Sequence, residues 1–165
     1  MSLRERVSEY FLVLRDPVYG YLARFCGSPA EAEELTQEAF LKLYRHLLQG
    51  KKVENVKSWV FQVARNLAVD RTRTRSSVEE AVELSAAADM PSKGMSSEAM
   101  ILERERDERL HVATKELTDF QRQCLHLRAE GLRYREIAET LSTSVDSVAD
   151  ALQRAIRKLR DRMHE

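Results

Sequence analysis

The chain has 165 residues, room for one ordinary domain or two small ones, which excludes a large multidomain enzyme. Hydrophobic residues make up 43% and charged ones 33%, with 5 Gly and 3 Pro, the balance of a folded, helix-rich chain with few hairpins rather than a disordered one. Lys plus Arg and Asp plus Glu both total 27, yet the signs are segregated: residues 1–75 carry net +4, residues 76–103 net −5 and residues 104–165 net +1. Two near-neutral or basic blocks therefore flank an acidic strip, the layout of two binding domains and a linker with its own electrostatic job.

Leu3, Val7, Tyr10, Phe11 and Leu14 repeat at helical spacing and predict a first amphipathic helix. Asp16 and Pro17 are expected to stop it and to start a second, with Val18, Tyr21, Leu22 and Phe25 inward and Gly27 at its end. Ser28-Pro29-Ala30-Glu31 reads as a capping box opening a third helix, with Ala32, Leu35, Ala39, Phe40, Leu43 and Leu47 inward and Gly50 closing it. After a basic loop, Asn55 caps a fourth helix whose inner side is Val56, Trp59, Val60, Val63, Ala64 and Leu67 and which runs out through Arg71, Arg73 and Arg75. From Ser76 to about Ser97 the periodicity fails, and small residues, acids, a Pro and a Gly predict a flexible acidic linker with at most one helical turn around Val78 to Leu84. Helices resume near Ser97 and continue to Leu117, and Thr118 and Gln121 repeat the capping-box logic for a helix from Asp119 that Gly131 ends. A short helix over Tyr134 to Leu141 and a longer one over Asp146 to Met163 follow, the latter with Val148, Leu152, Ala155, Ile156, Leu159 and Met163 inward.

Several chemistries find no support. Apolar runs such as Phe11 to Leu14 are far shorter than the ~20 residues needed to cross a bilayer, and no signal-peptide pattern precedes them, so the protein is expected to stay in the cytoplasm. Cys26 and Cys124 stand far apart with no CxxC and no His pair at ligand spacing, so no metal, no cofactor and ordinary buried thiols are expected. No phosphate-binding Gly loop, HExxH or GxSxG run occurs, and a catalytic role has no residues to carry it.

Tyr134 to Val148 has the spacing of a helix-turn-helix: Ala138 where two helices cross closely, Ser142 in the turn, and Val148 plugging the core from the second helix. Its outward positions would be Ser147, Ala149, Asp150, Ala151, Gln153 and Arg154, with Arg157, Lys158, Arg160 and Arg162 beyond them for phosphates.

Glu33-Glu34-Leu35-Thr36-Gln37-Glu38-Ala39-Phe40, followed by Lys57 to Asp70 with Trp59, Val60, Phe61, Ala64, Arg65 and Asn66, resembles region 2 of the bacterial extracytoplasmic function (ECF) sigma factors, and Leu117 to Leu159 is similar to their region 4. The resemblance implies an all-α fold of two small helical domains, a four-helix region 2 domain over 1–75 and a helix-turn-helix region 4 domain over 103–165, joined by a flexible linker over 76–102. It implies a factor that binds core RNA polymerase and directs promoter recognition, DNA melting and initiation, with promoter DNA and an anti-sigma factor as further partners, the latter able to hold it at the membrane. Glu34, Gln37, Glu38 and Leu41, which share one helix face, would dock on the polymerase clamp; the plainer alternative is a solvated Glu/Gln face. The minus-ten reader would comprise Lys51, Lys52, Asn55, Lys57, Ser58, Gln62, Arg65, Asn66, Arg71 and Arg73, because unpaired bases offer edges and faces to polar groups and their phosphates attract cations. Trp59 belongs to the same segment, as a stacking platform or as core support for the reading loop.

Arg135, Ser147, Asp150, Gln153, Arg154, Arg157 and Lys158 would serve the minus-thirty-five element. The sequence departs from the family there: Lys or Arg and Ser usually follow the Thr-Val of the recognition helix, whereas Ser147-Val148 is followed by Ala149, Asp150 and Ala151. An Asp near phosphates is repelled, although it could accept from a cytosine amino group. Thr118 replaces the usual Pro but keeps the cap. The acidic linker would thread the polymerase cleft toward the RNA exit path, or act as a solubilising tether. The competing reading is a stand-alone helix-turn-helix regulator, against which the weakly basic recognition helix argues.

Overall fold

A computed structural model of the chain describes residues 1–24, 26–76 and 97–164, with seven helices and no strand among them. They fall into two compact units. In the first, α1 (Leu3–Ala23), α2 (Pro29–Leu48) and α3 (Val56–Ser76) pack on one another. Among its described residues the unit therefore has three helices, not the four predicted from Asp16 and Pro17. Pro17 lies inside α1 because Val7, Leu14, Val18, Tyr21 and Leu22 form one unbroken buried stripe across it. Burial of that stripe outweighs the roughly 3 kcal/mol a helical proline costs, and Val13, whose carbonyl loses its Pro17 partner, stands on the exposed side. α1 also ends earlier than predicted, at Ala23 rather than Gly27; Phe25 lies outside the described residues.

The core between the three helices is made by that stripe, by Ala32, Leu35, Ala39, Phe40 and Leu43 of α2, and by Val60, Phe61, Ala64 and Ala68 of α3. Phe61 is fully buried although the predicted inner face of its helix left it out. It meets Tyr21 edge-on with ring centroids 5.5 Å apart, and Phe11 meets Phe40 in the same way at 5.1 Å. Each helix start has a local cause. Ser2 and Glu5 form a full capping box, which the sequence reading missed. Ser28 accepts the Glu31 N–H, but the Glu31 carboxylate reaches one residue further back, to the Gly27 N–H at 3.3 Å. The Asn55 side-chain oxygen accepts the Ser58 N–H at 3.1 Å, as predicted for a cap.

The second unit contains α4 (Ser97–Lys115), α5 (Asp119–Ala129), α6 (Tyr134–Thr140) as far as Ala138, and α7 (Val145–Met163). α4 begins at Ser97, where the returning periodicity predicts a helix, so residues 97–102, which the resemblance assigns to the linker, are its first turns; residues 77–96, including the turn expected around Val78 to Leu84, lie outside the described residues. The Thr118–Gln121 capping box forms reciprocally. α5 and α6 end alike: the Leu132 N–H returns to the Leu127 carbonyl and the Thr143 N–H to the Ala138 carbonyl, with Gly131 and Ser142 at the left-handed position before them. Gly131 takes φ 92° freely, whereas Ser142 at φ 53° bears a side chain in a region that costs an L-residue roughly 1–2 kcal/mol. The tight turn holds Ala138 and Val148 in the core as the helix-turn-helix spacing predicts. Cys26 and Cys124 are buried and in no disulfide, and burial pushes the Cys124 thiol up to about 11.

Candidate functional site

In α2 the buried line Ala32, Leu35, Thr36, Ala39, Phe40 and Leu43 turns Glu34, Gln37 and Leu41 to solvent, with Glu38 half-buried beside them. Two carboxylates, an amide and a 53%-exposed leucine thus form one stripe about 10 Å long. Arg71 joins this stripe from α3, where a promoter phosphate contact was expected. Its Nη1 and Nη2 donate to the two Glu34 carboxylate oxygens at 3.1 and 3.2 Å, and its Nε lies 3.8 Å from Glu31. The direction follows from register: position 71 continues the Ala64–Ala68 line, the side of α3 that faces inward. Those hydrogen bonds hold the Glu34 carboxyl below the usual carboxylate range and raise the guanidinium's affinity for its proton.

The remaining minus-ten candidates spread around the start of α3. Lys51, Lys52, Asn66 and Arg73 are exposed, and Lys57, Gln62 and Arg65 are half-buried, with the Arg65 Nε out of solvent and lacking a hydrogen-bond partner among the described residues. Two candidates are already engaged. Ser58, in the first turn of α3, is only 7% exposed. Asn55 spends its side-chain oxygen on the helix cap. Trp59 is neither core nor free: its ring lies 5.0 Å from His46, and both line a groove of about 320 Å³ with Lys42, Arg45, Gln49 and Val63. Sequence reading overlooked Lys42, Arg45, His46 and Gln49 because it looked to the loop, although their i, i+3, i+4, i+7 spacing marks one α2 face.

In the second unit Ser147 is tied to the α7 cap: its N–H donates to the Ser144 hydroxyl oxygen at 3.1 Å, and its own hydroxyl oxygen accepts the Ser144 O–H at 2.9 Å. Asp150 pairs with Arg154 one turn on at 3.1 Å. Ala151, predicted to point outward, is buried at 4% exposure, and Ile156 and Met163, predicted inward, are exposed. The buried set is Val148, Ala151, Leu152 and Ala155, a phase that carries 156 off the core, while Met163 is the last residue of α7. Lys158 is drawn inward: its Nζ donates to the Gln121 side-chain oxygen at 3.2 Å and to the Glu116 carbonyl at 3.4 Å, while Arg162 pairs with the Glu116 carboxylate. Arg135, Gln153 and Arg157 are exposed.

Comparison with known proteins decides what these surfaces belong to. Residues 11–78 match the family described as Sigma-70 region 2, and residues 107–159 match Sigma-70, region 4. The ECF RNA polymerase sigma factor SigK of Mycolicibacterium vanbaalenii is 30% identical over 162 residues, covering 94% of this chain and 81% of that protein. The chain belongs to the ECF sigma factors. SigK of Mycobacterium bovis strain BCG is 29% identical over 157 residues, with 93% of this chain and 83% of that protein covered. The fold is that of solved sigma factors. RpoE of Bartonella quintana, solved with the anti-sigma factor NepR, superposes with a TM-score of 0.71 at 18% identity over 95% of this chain and 96% of that one. CnrH, solved with the cytosolic domain of CnrY, gives 0.63 at 17% identity over 98% and 89%. As a sigma factor the protein binds core RNA polymerase and directs promoter recognition, DNA melting and transcription initiation. No described helix of this sigma factor is long and apolar enough to cross a membrane.

Proposed function

We propose that the sigma factor divides its work along α2. The first half of the helix carries Glu34, Gln37 and Glu38 for the polymerase, and the second half carries Lys42, Arg45 and His46 on the groove that takes the unpaired minus-ten strand. That reversal of charge along one rigid helix is the observation that carries the reading. It follows the helix dipole, acids toward the N-terminus and cations toward the C-terminus, and it sets two neighbouring surfaces of opposite sign. In this assignment the Trp59 ring edge and Asn66 meet a base while Lys51, Lys52 and Lys57 hold phosphates. The protein acts without a catalytic step of its own, in the cytoplasm, under an anti-sigma factor of the kind seen with the solved neighbours. Adding the purified protein to core RNA polymerase and genomic template tests this. Promoter-dependent transcripts are expected; tight duplex binding with no transcript would favour a stand-alone regulator.

Region 4 is the weaker reader in this scheme. Asp150 neutralises Arg154, Ala151 is buried and Lys158 is held within the domain, leaving Arg135, Gln153 and Arg157 as exposed candidates. The Asp150→Lys variant adds a cation and releases Arg154, and each further phosphate neutralised steepens the log–log salt dependence on duplex DNA by about 0.9. The variant is expected to bind duplex more tightly at low salt, lose that gain as salt rises, and discriminate less between promoter and scrambled sequence in titrations at two salt concentrations. Loss of promoter binding with scrambled binding unchanged would instead make Asp150 a base reader, of cytosine by its chemistry.

A further inference from the structure

We propose that Arg71 is a positioning residue of the polymerase-docking stripe rather than a promoter contact: it holds the Glu34 carboxylate in a fixed orientation from the neighbouring helix. The inference rests on the docking assignment of α2. Arg71 is anchored on two sides. Its Nε approaches Glu31, a buried acid whose other oxygen accepts the Gly27 N–H at 3.3 Å, so one end of the fork leans on a group that is itself held. Its two Nη atoms grip Glu34 in parallel, the bidentate arrangement that fixes direction as well as distance.

The grip leaves Glu34 usable. An ionised carboxylate has about four acceptor positions, Arg71 occupies two, and the Glu34 side chain remains 64% exposed, so a donor from another molecule can still bind the outer lone pairs. A glutamate that is already ordered loses less freedom when a partner arrives, which is how preorganisation raises affinity without adding a contact. A guanidinium committed to one carboxylate and beside another is a poor site for a phosphate, since the anion would have to displace both acids.

The test uses the full-length protein, with Arg71→Ala, Arg71→Lys, Glu34→Ala and the double variant Arg71→Ala/Glu34→Ala. Affinity for core RNA polymerase and the salt dependence of promoter single-strand binding by assembled holoenzyme are measured for each. Arg71→Ala is expected to weaken core binding by about tenfold, the scale of freezing one rotamer-rich side chain. Arg71→Lys, which lacks the fork, should recover only part of that loss. The double variant should be no weaker than Glu34→Ala alone, and the salt slope of the holoenzyme should not change. Unaltered core affinity with a slope smaller by about 0.7 would make Arg71 a phosphate contact and overturn the proposal. Additive losses in the double variant would overturn it as well, because Arg71 would then support the fold without acting through Glu34. A failure of the docking assignment shows separately, as full core binding after charge reversal at Gln37 and Glu38.

Discussion

Charge reversal on the α2 stripe, Gln37→Lys together with Glu38→Arg, is expected to abolish pull-down of core RNA polymerase while helical circular dichroism and the melting temperature stay nearly unchanged. Gln37 is exposed and Glu38 half-buried on the side of α2 opposite Leu35, Ala39 and Leu43. Substitutions at such positions usually alter stability within about ±0.5 kcal/mol. The effect on binding is larger, because like charges brought together at an interface cost several kcal/mol, a loss of more than a hundredfold. A folded double variant that binds core polymerase normally would remove the docking assignment and leave the stripe as a solvated face.

Asn66→Ala carries the second large effect. Asn66 is exposed on α3 one turn beyond Val63 and two beyond Trp59, on the side that borders the basic groove and away from the buried Val60, Ala64 and Ala68. Truncation removes an amide that can both donate to and accept from a base edge, and it touches none of the α2 stripe. The variant is therefore expected to bind core polymerase like the parent yet lose open-complex formation by roughly five- to hundredfold, the scale of one base-edge contact of about 1–3 kcal/mol. Promoter opening followed by permanganate reactivity of unpaired thymines measures it. Melting at the parental rate would show that Asn66 serves the fold alone.

What the sequence made legible, and what it did not, divides by range. Helix phases were readable wherever apolar residues recur at three and four: the α2 line from Ala32 to Leu43 and the Ala138–Val148 pair stand as predicted. Short-range caps were readable too, because Asn55 and Thr118 act on a backbone N–H three residues away. Pro17 misled because a local rule met a tertiary stripe that overrode it. The Arg71–Glu34 fork and the Lys158–Gln121 bond each join residues 37 positions apart, and no periodicity announces a pairing of that kind. The groove beside Trp59 was missed for a similar reason: four of its six lining residues come from the α2 side rather than from the helix that carries Trp59. At the α7 end apolar type alone predicts Ile156 and Met163 as core, whereas the buried face is set by Ala151 and Ala155, small residues that permit close approach.

The shielded thiol of the second unit has a consequence for alkaline conditions. An ordinary thiol of this kind ionises near 9.0, while that of Cys124 in the folded protein does so at about 11, because burial disfavours the charged sulfur. Below pH 9 the sulfur is neutral in the folded and the unfolded chain alike, and it contributes nothing to how stability varies with acidity. Between about pH 9 and 11 only the unfolded chain releases the proton, so each rise in pH draws the equilibrium toward opening and stability falls across that window. At neutral pH only about one Cys124 in ten thousand is a thiolate while the unit stays closed. Electrophiles and oxidants that need the anion thus meet an inert sulfur until the helices part, and covalent capture of Cys124 counts the openings of its domain.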